Sequence, residues 1–245
     1  AKLGNDVFAS KSLENFKRVG IHTKHIEQIE GVPSGIAIIA IDEQGKNIII
    51  VVPGANGKLM PKDVDAAKED IARAGVVVCQ LEVPIETVLQ AAKVAKANQV
   101  PFILDPAPAR PLSDELLSMV DIIKPNETEA HTLTGIQVTD PASAGKAADA
   151  LLAKGVKTVI ITLGEKGFLL AAKDGKEFIP GHKIKAVDST AAGDAFTGGV
   201  AYGIASGKSV REAAIFANAV AAISVTRLGA QPSMPTRKEV DAFIK

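Results

Sequence analysis

The sequence predicts a layered α/β/α fold on a mostly parallel sheet, and three observations predict it. Short apolar, β-branched runs alternate with helical patterns along most of the chain. Prolines stand at or near the starts of the helical stretches, where a missing N–H costs nothing. Acids, asparagine and glycine collect directly after the apolar runs, at the carboxyl ends of the predicted strands, where ligands gather in open α/β sheets.

Taken in order, Ser34 to Ala40 and Asn47 to Val52 are strand-like, and Ile41-Asp42-Glu43-Gln44-Gly45-Lys46 between them suits a hairpin loop. Val64, Ala67, Ile71 and Ala74 recur at helical spacing after Pro61. Val76 to Leu81 reads as a buried strand with Cys79 inside it. Ile85, Val88, Leu89, Ala92 and Ala95 form a helical stripe after Pro84, and Ala144, Ala148, Leu151 and Leu152 another after Pro141. Val100 to Asp105, Val120 to Lys124 and Thr158 to Thr162 are further buried strands, and Phe168 to Ala172 follows as one more. Strand–helix alternation implies right-handed crossovers, with helices on both faces of the sheet. Glu82, Asp105-Pro106-Ala107, Asn126 and Leu163-Gly164 each follow a strand. The length of 245 residues suits one large α/β domain over 1–245.

Composition narrows the function classes. Lys plus Arg and Asp plus Glu both number 28, giving a net charge of zero, which argues against broad binding of nucleic acid or anionic membrane. No apolar run approaches a membrane helix, and the N-terminus lacks the pattern of a secretion signal. Cys79 is the only cysteine, so no intrachain disulfide forms and a reducing, cytoplasmic location is expected. His22, His25, His131 and His182 show no metal-ligand spacing, and His131 is read as structural or solvated.

The most informative stretch is Asp188-Ser189-Thr190-Ala191-Ala192-Gly193-Asp194-Ala195-Phe196. Lys183 to Val187 before it alternates like a strand, and Ala195 to Ile204 after it reads as helix. A strand entering a helix through small residues leaves backbone N–H groups aimed at one spot, which binds anions and above all phosphate. Asp194, in the first turn, is placed to take a proton from a hydroxyl beside that phosphate. Locally a second reading stays open, an ordinary N-cap in which Asp188 or Ser189 satisfies free N–H groups.

The stretch resembles the signature Asp-Thr-x-(Gly/Ala)-Ala-Gly-Asp of the ribokinase-like family of carbohydrate kinases, with Ser189 and Ala191 as variants. Three more family motifs follow the family's order: Asn126-Glu127-Thr128-Glu129, Thr162-Leu163-Gly164-Glu165-Lys166-Gly167, and Thr226-Arg227-Leu228-Gly229-Ala230-Gln231-Pro232-Ser233. The opening Gly4-Asn5-Asp6-Val7-Phe8 is similar to the family's Gly-x-Asp-x-Phe-Gly segment. The family's earlier sugar-binding motifs, Asn-x-Asp and Gly-Gly-x-Gly-Ala-Asn, do not occur in these 245 residues, so the chain resembles a member lacking that N-terminal region.

The resemblance implies ATP-dependent phosphorylation of D-ribose to ribose 5-phosphate. Asp194 would be the general base, and the N–H groups of Ala191, Ala192 and Gly193 the anion hole. A helix N-terminus is expected to lower the pKa of Asp194. ATP would lie against Thr162, Leu163, Gly164, Glu165, Lys166 and Gly167, with Asn126 on phosphate and Asn218 facing adenine. Glu129 would organise Mg²⁺ through its outer shell. Asp188 and Thr190, with oxygens of Ser224, Arg227, Gly229 and Ser233, would hold a monovalent cation, usually K⁺. Glu82 matches a ribose-contacting acid, and locally it reads equally well as a helix-capping acid before Pro84. The hairpin over 34–52 corresponds to part of a β lid that covers sugar and mediates a homodimer; without the family it reads as an edge hairpin of the main sheet. Two other functions fit the residues: another sugar or nucleoside kinase of the family, and a catalytically silent chain that binds nucleotide.

Overall fold

The computed structural model describes residues 1–41 and 47–245. The predicted hairpin loop at 42–46 lies outside the described residues. The chain divides into two compact units, Ala1–Glu69 with Leu81–Ala91, and Asp70–Gln80 with Ala92–Lys245.

In chain order the first elements are β1 (Lys2–Gly4), α1 (Val7–Arg18), β2 (Glu27–Ile29), β3 (Ile36–Ile41), β4 (Asn47–Val52), α2 (Pro61–Ala66) and α3 (Lys68–Ala72). Within the first unit β1 runs parallel to β2, and β3 pairs antiparallel with β4. Their register sets Ile36 opposite Val52 and Ile38 opposite Ile50. Asp6 caps α1 through the Ala9 N–H at 2.9 Å, and its carboxylate also accepts from the Ser34 N–H and hydroxyl at 2.7 and 2.8 Å. The single helix expected after Pro61 is two short ones meeting at Ala67, whose N–H donates to Val64 at 3.0 Å and tightens the chain out of α geometry.

The remaining elements are β5 (Val77–Cys79), α4 (Ile85–Ala97), β6 (Phe102–Leu104), α5 (Asp114–Leu117), β7 (Ile122–Ile123), α6 (Glu127–Thr134) and α7 (Pro141–Ala153). They continue with β8 (Thr158–Thr162), β9 (Gly167–Ala172), β10 (Gly175–Pro180), α8 (Ala192–Ala205), α9 (Val210–Ser224) and α10 (Arg237–Phe243). The second unit holds a six-stranded sheet in the order β10-β9-β8-β7-β6-β5. Strands β5 to β8 are parallel, and β8, β9 and β10 form an antiparallel meander.

Both faces of this sheet are covered, as strands buried on two sides require. Ile103, Ile122, Ile160 and Phe168 pack against Phe196 and Val200 of α8 and Ala214 and Ala217 of α9. Phe168 and Phe196 meet edge to face at 5.3 Å between centroids. Val159 and Ile161 alternate with Ile160 and are equally buried, on the opposite face, where α7 lies against β8 and β9. Helix α8 approaches α9 closely because Gly199 and Gly203 carry no Cβ; one at Gly199 would stand 2.6 Å from Ala217 Cα.

Two expectations are corrected here. Lys183–Val187 forms no strand: the Val187 and Asp188 N–H groups both donate to the Val225 carbonyl after α9, at 2.7 and 3.1 Å, which ties this segment to a helix end rather than to a sheet edge. Strand β5 is the edge of the sheet among the described residues, not an interior strand, and Val78 is 43% exposed. Cys79 beside it is half-buried as a residue, yet burial of its thiol pushes the pKa up to about 12. Among the described residues no helix is long and apolar enough to cross a membrane.

Candidate active site

The carboxyl ends of β6, β7 and β8 and the first turn of α8 meet in the second unit. Each strand delivers a polar residue directly after its last apolar one: Asp105 after Leu104, Lys124 after Ile123, and Thr162 after Ile161, with Leu163 and Gly164 following. The ladder continues past the strand ends, with the Asp105 N–H on Cys79 O (2.9 Å), Lys124 N–H on Leu104 O (3.0 Å) and Thr162 N–H on Pro125 O (3.0 Å). These residues are therefore held as rigidly as the sheet itself.

Helix α8 begins without a side-chain cap. Its N-cap is Ala191, in the left-handed region at φ 60°, ψ 16°. A non-glycine residue there costs on the order of 1 kcal/mol and bends the chain sharply into the helix. The N-cap reading for Asp188 is thus set aside. Its carboxylate instead accepts from the Thr190 N–H at 2.9 Å and the Gly229 N–H at 2.8 Å. The Thr190 side chain first, then the Gly229 N–H, hold Asp188 below the usual aspartate range. The Ala192 N–H donates to Ser189 O at 3.1 Å, so this member of the expected anion hole closes the turn instead. Among the described residues the Ala191, Gly193 and Asp194 N–H groups have no backbone acceptor.

Asp194 remains accessible to solvent but has protein around much of its carboxylate. Its pKa is raised, not lowered as expected from the helix N-terminus. Burial is the larger cause and the Asp105 charge the second, with Lys124 opposing both. Asp194 also lines an apolar cleft of about 240 Å³ with Tyr202, Phe216 and Val240.

Asn126 and Glu129 form a capping box on α6: the Glu129 N–H donates to Asn126 Oδ1 and the Asn126 N–H to Glu129 Oε2, each at 2.8 Å. Burial raises the Glu129 pKa, the bond from Asn126 N–H opposes it, and Asp105 adds to the rise. Asn126 bridges to Thr162, bringing two of the predicted nucleotide residues side by side. Leu163 to Gly167 form a tight turn closed by the Leu163 N–H on Gly167 O at 2.8 Å. The Gly181 N–H donates to Lys166 O at 2.9 Å, and Asn218 Nδ2 donates to neighbouring Pro180 O at 3.0 Å. Asn218 thus borders the strand end that flanks this loop.

The predicted monovalent-cation residues fall on the turn before α8 and on the stretch from the end of α9 to Ser233, pinned together by Asp188. Ser224 and Ser233 are fully buried; their hydroxyls donate to Ala221 O at 2.9 Å and Ala230 O at 2.7 Å. The Arg227 N–H donates to Ser224 O at 3.1 Å, and its guanidinium pairs with Glu239 at 2.6 Å, leaving its carbonyl as its available oxygen. Glu82 belongs to the first unit and is exposed there, between β5 and α4.

Sequence reasoning assigned no role to Asp105, Lys124 or Thr197. A charged residue at each of two adjacent strand ends, of opposite sign, was the available signal. Lys124 Nζ lies 2.8 Å from Asp105 Oδ2, and both residues are buried.

A family model for pfkB carbohydrate kinases matches residues 1–237. Ribokinase of Haemophilus influenzae is 44% identical over 243 residues, 99% of this chain and 79% of the relative. The crystal structure of ribokinase from Thermotoga maritima is 40% identical with a TM-score of 0.89, covering 99% of this chain and 79% of that one. Arabidopsis thaliana ribokinase complexed with ribose and ATP is 34% identical with a TM-score of 0.92, covering all of this chain and 80% of that one. With the family signature folded into the first turn of α8 at the sheet's carboxyl edge, the chain belongs to the pfkB family of carbohydrate kinases.

Proposed function

We propose that this chain transfers the γ-phosphoryl group of ATP to the primary hydroxyl of D-ribose, giving ribose 5-phosphate and ADP. The observation that carries the reading is the start of α8, where Asp194 stands beside open N–H groups at the end of a parallel sheet. Phosphoryl transfer has a loose transition state, so the protein's work is positioning and charge stabilisation. The Ala191 and Gly193 N–H groups receive charge on the transferring group. Asp194 orients the sugar hydroxyl and takes its proton late in the transfer. Its raised pKa makes it a better acceptor than an ordinary aspartate. Thr162 to Gly167 and Asn218 seat the nucleotide, and Asn126 faces phosphate.

Magnesium, when bound with ATP, neutralises phosphate charge. The local charge fits it: Glu129 and Asp194 both feel the Asp105 charge, and Lys124, paired with Asp105, is the ammonium that opposes it. Glu129 would act on the ion through its water shell, as magnesium usually keeps several waters. Potassium would sit with Asp188 and Thr190 and oxygens of Ser224, Arg227, Gly229 and Ser233, and Glu82 would contact ribose. The reading includes a homodimer through β3 and β4, supported by Ile38, Ile50, Val51 and Val52, which stay 41–57% exposed. ATP use and a single cysteine fit a cytoplasmic enzyme.

Turnover of ATP with Mg²⁺ and K⁺ is the test, run against a panel of D-ribose, 2-deoxy-D-ribose and D-fructose. D-Ribose should give the highest kcat/KM by at least about tenfold (1.4 kcal/mol). Sugar-independent hydrolysis, or a tenfold preference for another sugar, would overturn the assignment, and sedimentation velocity tests the dimer.

A further inference from the structure

Beyond the charge that it sets around Glu129 and Asp194, the buried pair Lys124–Asp105 makes contacts that lead to the catalytic turn. Lys124 Nζ donates to the Gly193 carbonyl at 3.2 Å, while its other partner, Asp105 Oδ2, lies at 2.8 Å. Thr197 lies one turn along α8, and its hydroxyl bonds to the same two acceptors, Asp105 Oδ2 at 2.7 Å and Gly193 O at 3.0 Å. Lys124, Asp105 and Thr197 are each no more than 7% exposed. Three elements, β6, β7 and α8, are thereby joined through one ammonium, one carboxylate and one hydroxyl. Gly193 is the residue before Asp194 and a member of the anion hole, and a Cβ on it would stand 3.3 Å from Lys124 Nζ. The other Asp105 oxygen, Oδ1, is buried and takes no hydrogen bond among the described residues.

We propose that Lys124 is a positioning residue for phosphoryl transfer: from the end of β7 it clamps the Gly193 carbonyl, and so holds the first turn of α8, with its N–H groups and Asp194, against the carboxyl edge of the sheet. This rests on the kinase reading. A buried lysine in a merely structural ion pair is replaceable together with its partner, because two neutral groups of similar size remove the buried charge along with the attraction. A clamp is not replaceable in that way, since replacing Lys124, even together with Asp105, leaves the Gly193 carbonyl without its ammonium. Asp105 anchors the clamp, and Thr197 ties the anchor to the helix it holds.

The experiment compares the full chain with Lys124→Met and with Lys124→Met/Asp105→Asn. Three quantities are read: the urea midpoint, amide hydrogen exchange in the segment 188–197, and steady-state kinetics with ATP and D-ribose. Lys124→Met should lower the midpoint, since it strands the Asp105 charge. The double variant should recover most of that loss. In both, exchange at the start of α8 should quicken at least tenfold, and kcat should fall about 30-fold with KM for ATP within threefold. Recovery of kcat together with the midpoint in the double variant would reduce the pair to a structural role and overturn the proposal. Unchanged exchange over 188–197 in Lys124→Met would overturn it as well. A parent chain with no sugar-dependent turnover would sink the kinase reading instead, and the exchange data, which need no turnover, would still decide whether Lys124 holds the turn.

Discussion

Gly198 and Gly199 are neighbours in α8, yet alanine at each is expected to change stability in opposite directions. Either substitution gains about 1 kcal/mol of helix propensity, because alanine loses less conformational freedom than glycine. A Cβ on Gly198 meets nothing within 4 Å, so Gly198→Ala should show that gain nearly whole. A Cβ on Gly199 would stand 2.6 Å from Ala217 Cα, 2.9 Å from Ala217 Cβ and 3.2 Å from Val220 Cγ2. Carbon atoms pack at roughly 3.5–4.0 Å, so α8 and α9 must part by about 1 Å. Ala217 sits in the core cluster with Phe196 and Val200, so the displacement loosens packing on one whole face of the sheet. Overpacking of this kind costs about 1–3 kcal/mol, and the displaced contacts add to it.

The net expectation is about 1 kcal/mol of stabilisation for Gly198→Ala and about 1–2 kcal/mol of destabilisation for Gly199→Ala. Urea denaturation followed by circular dichroism reads both, provided the m-value is unchanged. A Gly199→Ala chain as stable as Gly198→Ala would refute the close-packing reasoning, since propensity is the same at both positions. Gly203 supplies an internal repeat one turn on: a Cβ there would lie 2.5 Å from Ala213 Cβ, and alanine should again destabilise.

Asp194→Asn should cut turnover by about 10²–10⁴-fold while ATP binding persists; because the folded pKa of Asp194 is raised, its charge disfavours the folded state near neutrality, so the same variant should raise the urea midpoint at pH 7, and an unchanged or lower midpoint would contradict the burial argument. In the parent chain, activity should fall with decreasing pH through a value above the ordinary aspartate range, read from the acidic limb of kcat/KM. Glu239 is held down to about 2 by the Thr236 N–H, then Arg227, then the Thr236 hydroxyl, so its contribution is present above an unfolded pKa of about 4.3 and is lost as pH falls toward about 2. Glu239→Gln should flatten the stability profile in that window, and a profile that keeps its slope there would count against the assignment. Cys79, with its thiol pushed up to about 12, should react with a disulfide reagent at pH 8 far more slowly than the unfolded chain; matching rates would contradict its burial.

The carboxyl-edge logic was legible because each parallel strand in this chain is an apolar run ended abruptly by polar residues. Asp105, Lys124 with Asn126, and Thr162 all stand where that pattern puts them, with the Leu163-Gly164 turn directly after Thr162. The false strand at Lys183–Val187 had the right alternation, but alternation does not report whether a neighbouring strand exists to pair with. Its N–H groups went to Val225. The short run Thr236-x-x-Glu239 carried a capping-box signal for α10 that periodicity over so few residues does not reveal. The role of Lys124 was hidden for another reason. A lysine at a strand end reads as a solvated terminus, and only the return of α8 across the sheet, far along the chain, supplies the carbonyl that it meets.

The direction of the Asp194 pKa shift turns on a comparison that the fold itself provides. Six helices carry an acid at their third residue, the last four of them being α6 with Glu129, α8 with Asp194, α9 with Glu212 and α10 with Glu239. In three of these last four the acid folds back onto the N-cap and completes a capping box, as Asp63 does in α2. Glu212 and Glu239, exposed and bonded to Ser209 and Thr236, have lowered pKa values. Asp194 has no such partner arrangement, because the N-cap is Ala191, in a left-handed conformation and without a side-chain oxygen. The helix field alone is worth about 0.3–1 kcal/mol near the surface. Burial and the nearby Asp105 charge outweigh it, even against Lys124. The small residues of the signature therefore do two things at once. They open N–H groups to an anion, and they deny Asp194 the cap that would otherwise consume its carboxylate. Ala191→Ser would restore an N-cap hydroxyl but not the β-region backbone a cap requires, so the left-handed turn, rather than the missing oxygen alone, keeps Asp194 available for a substrate proton.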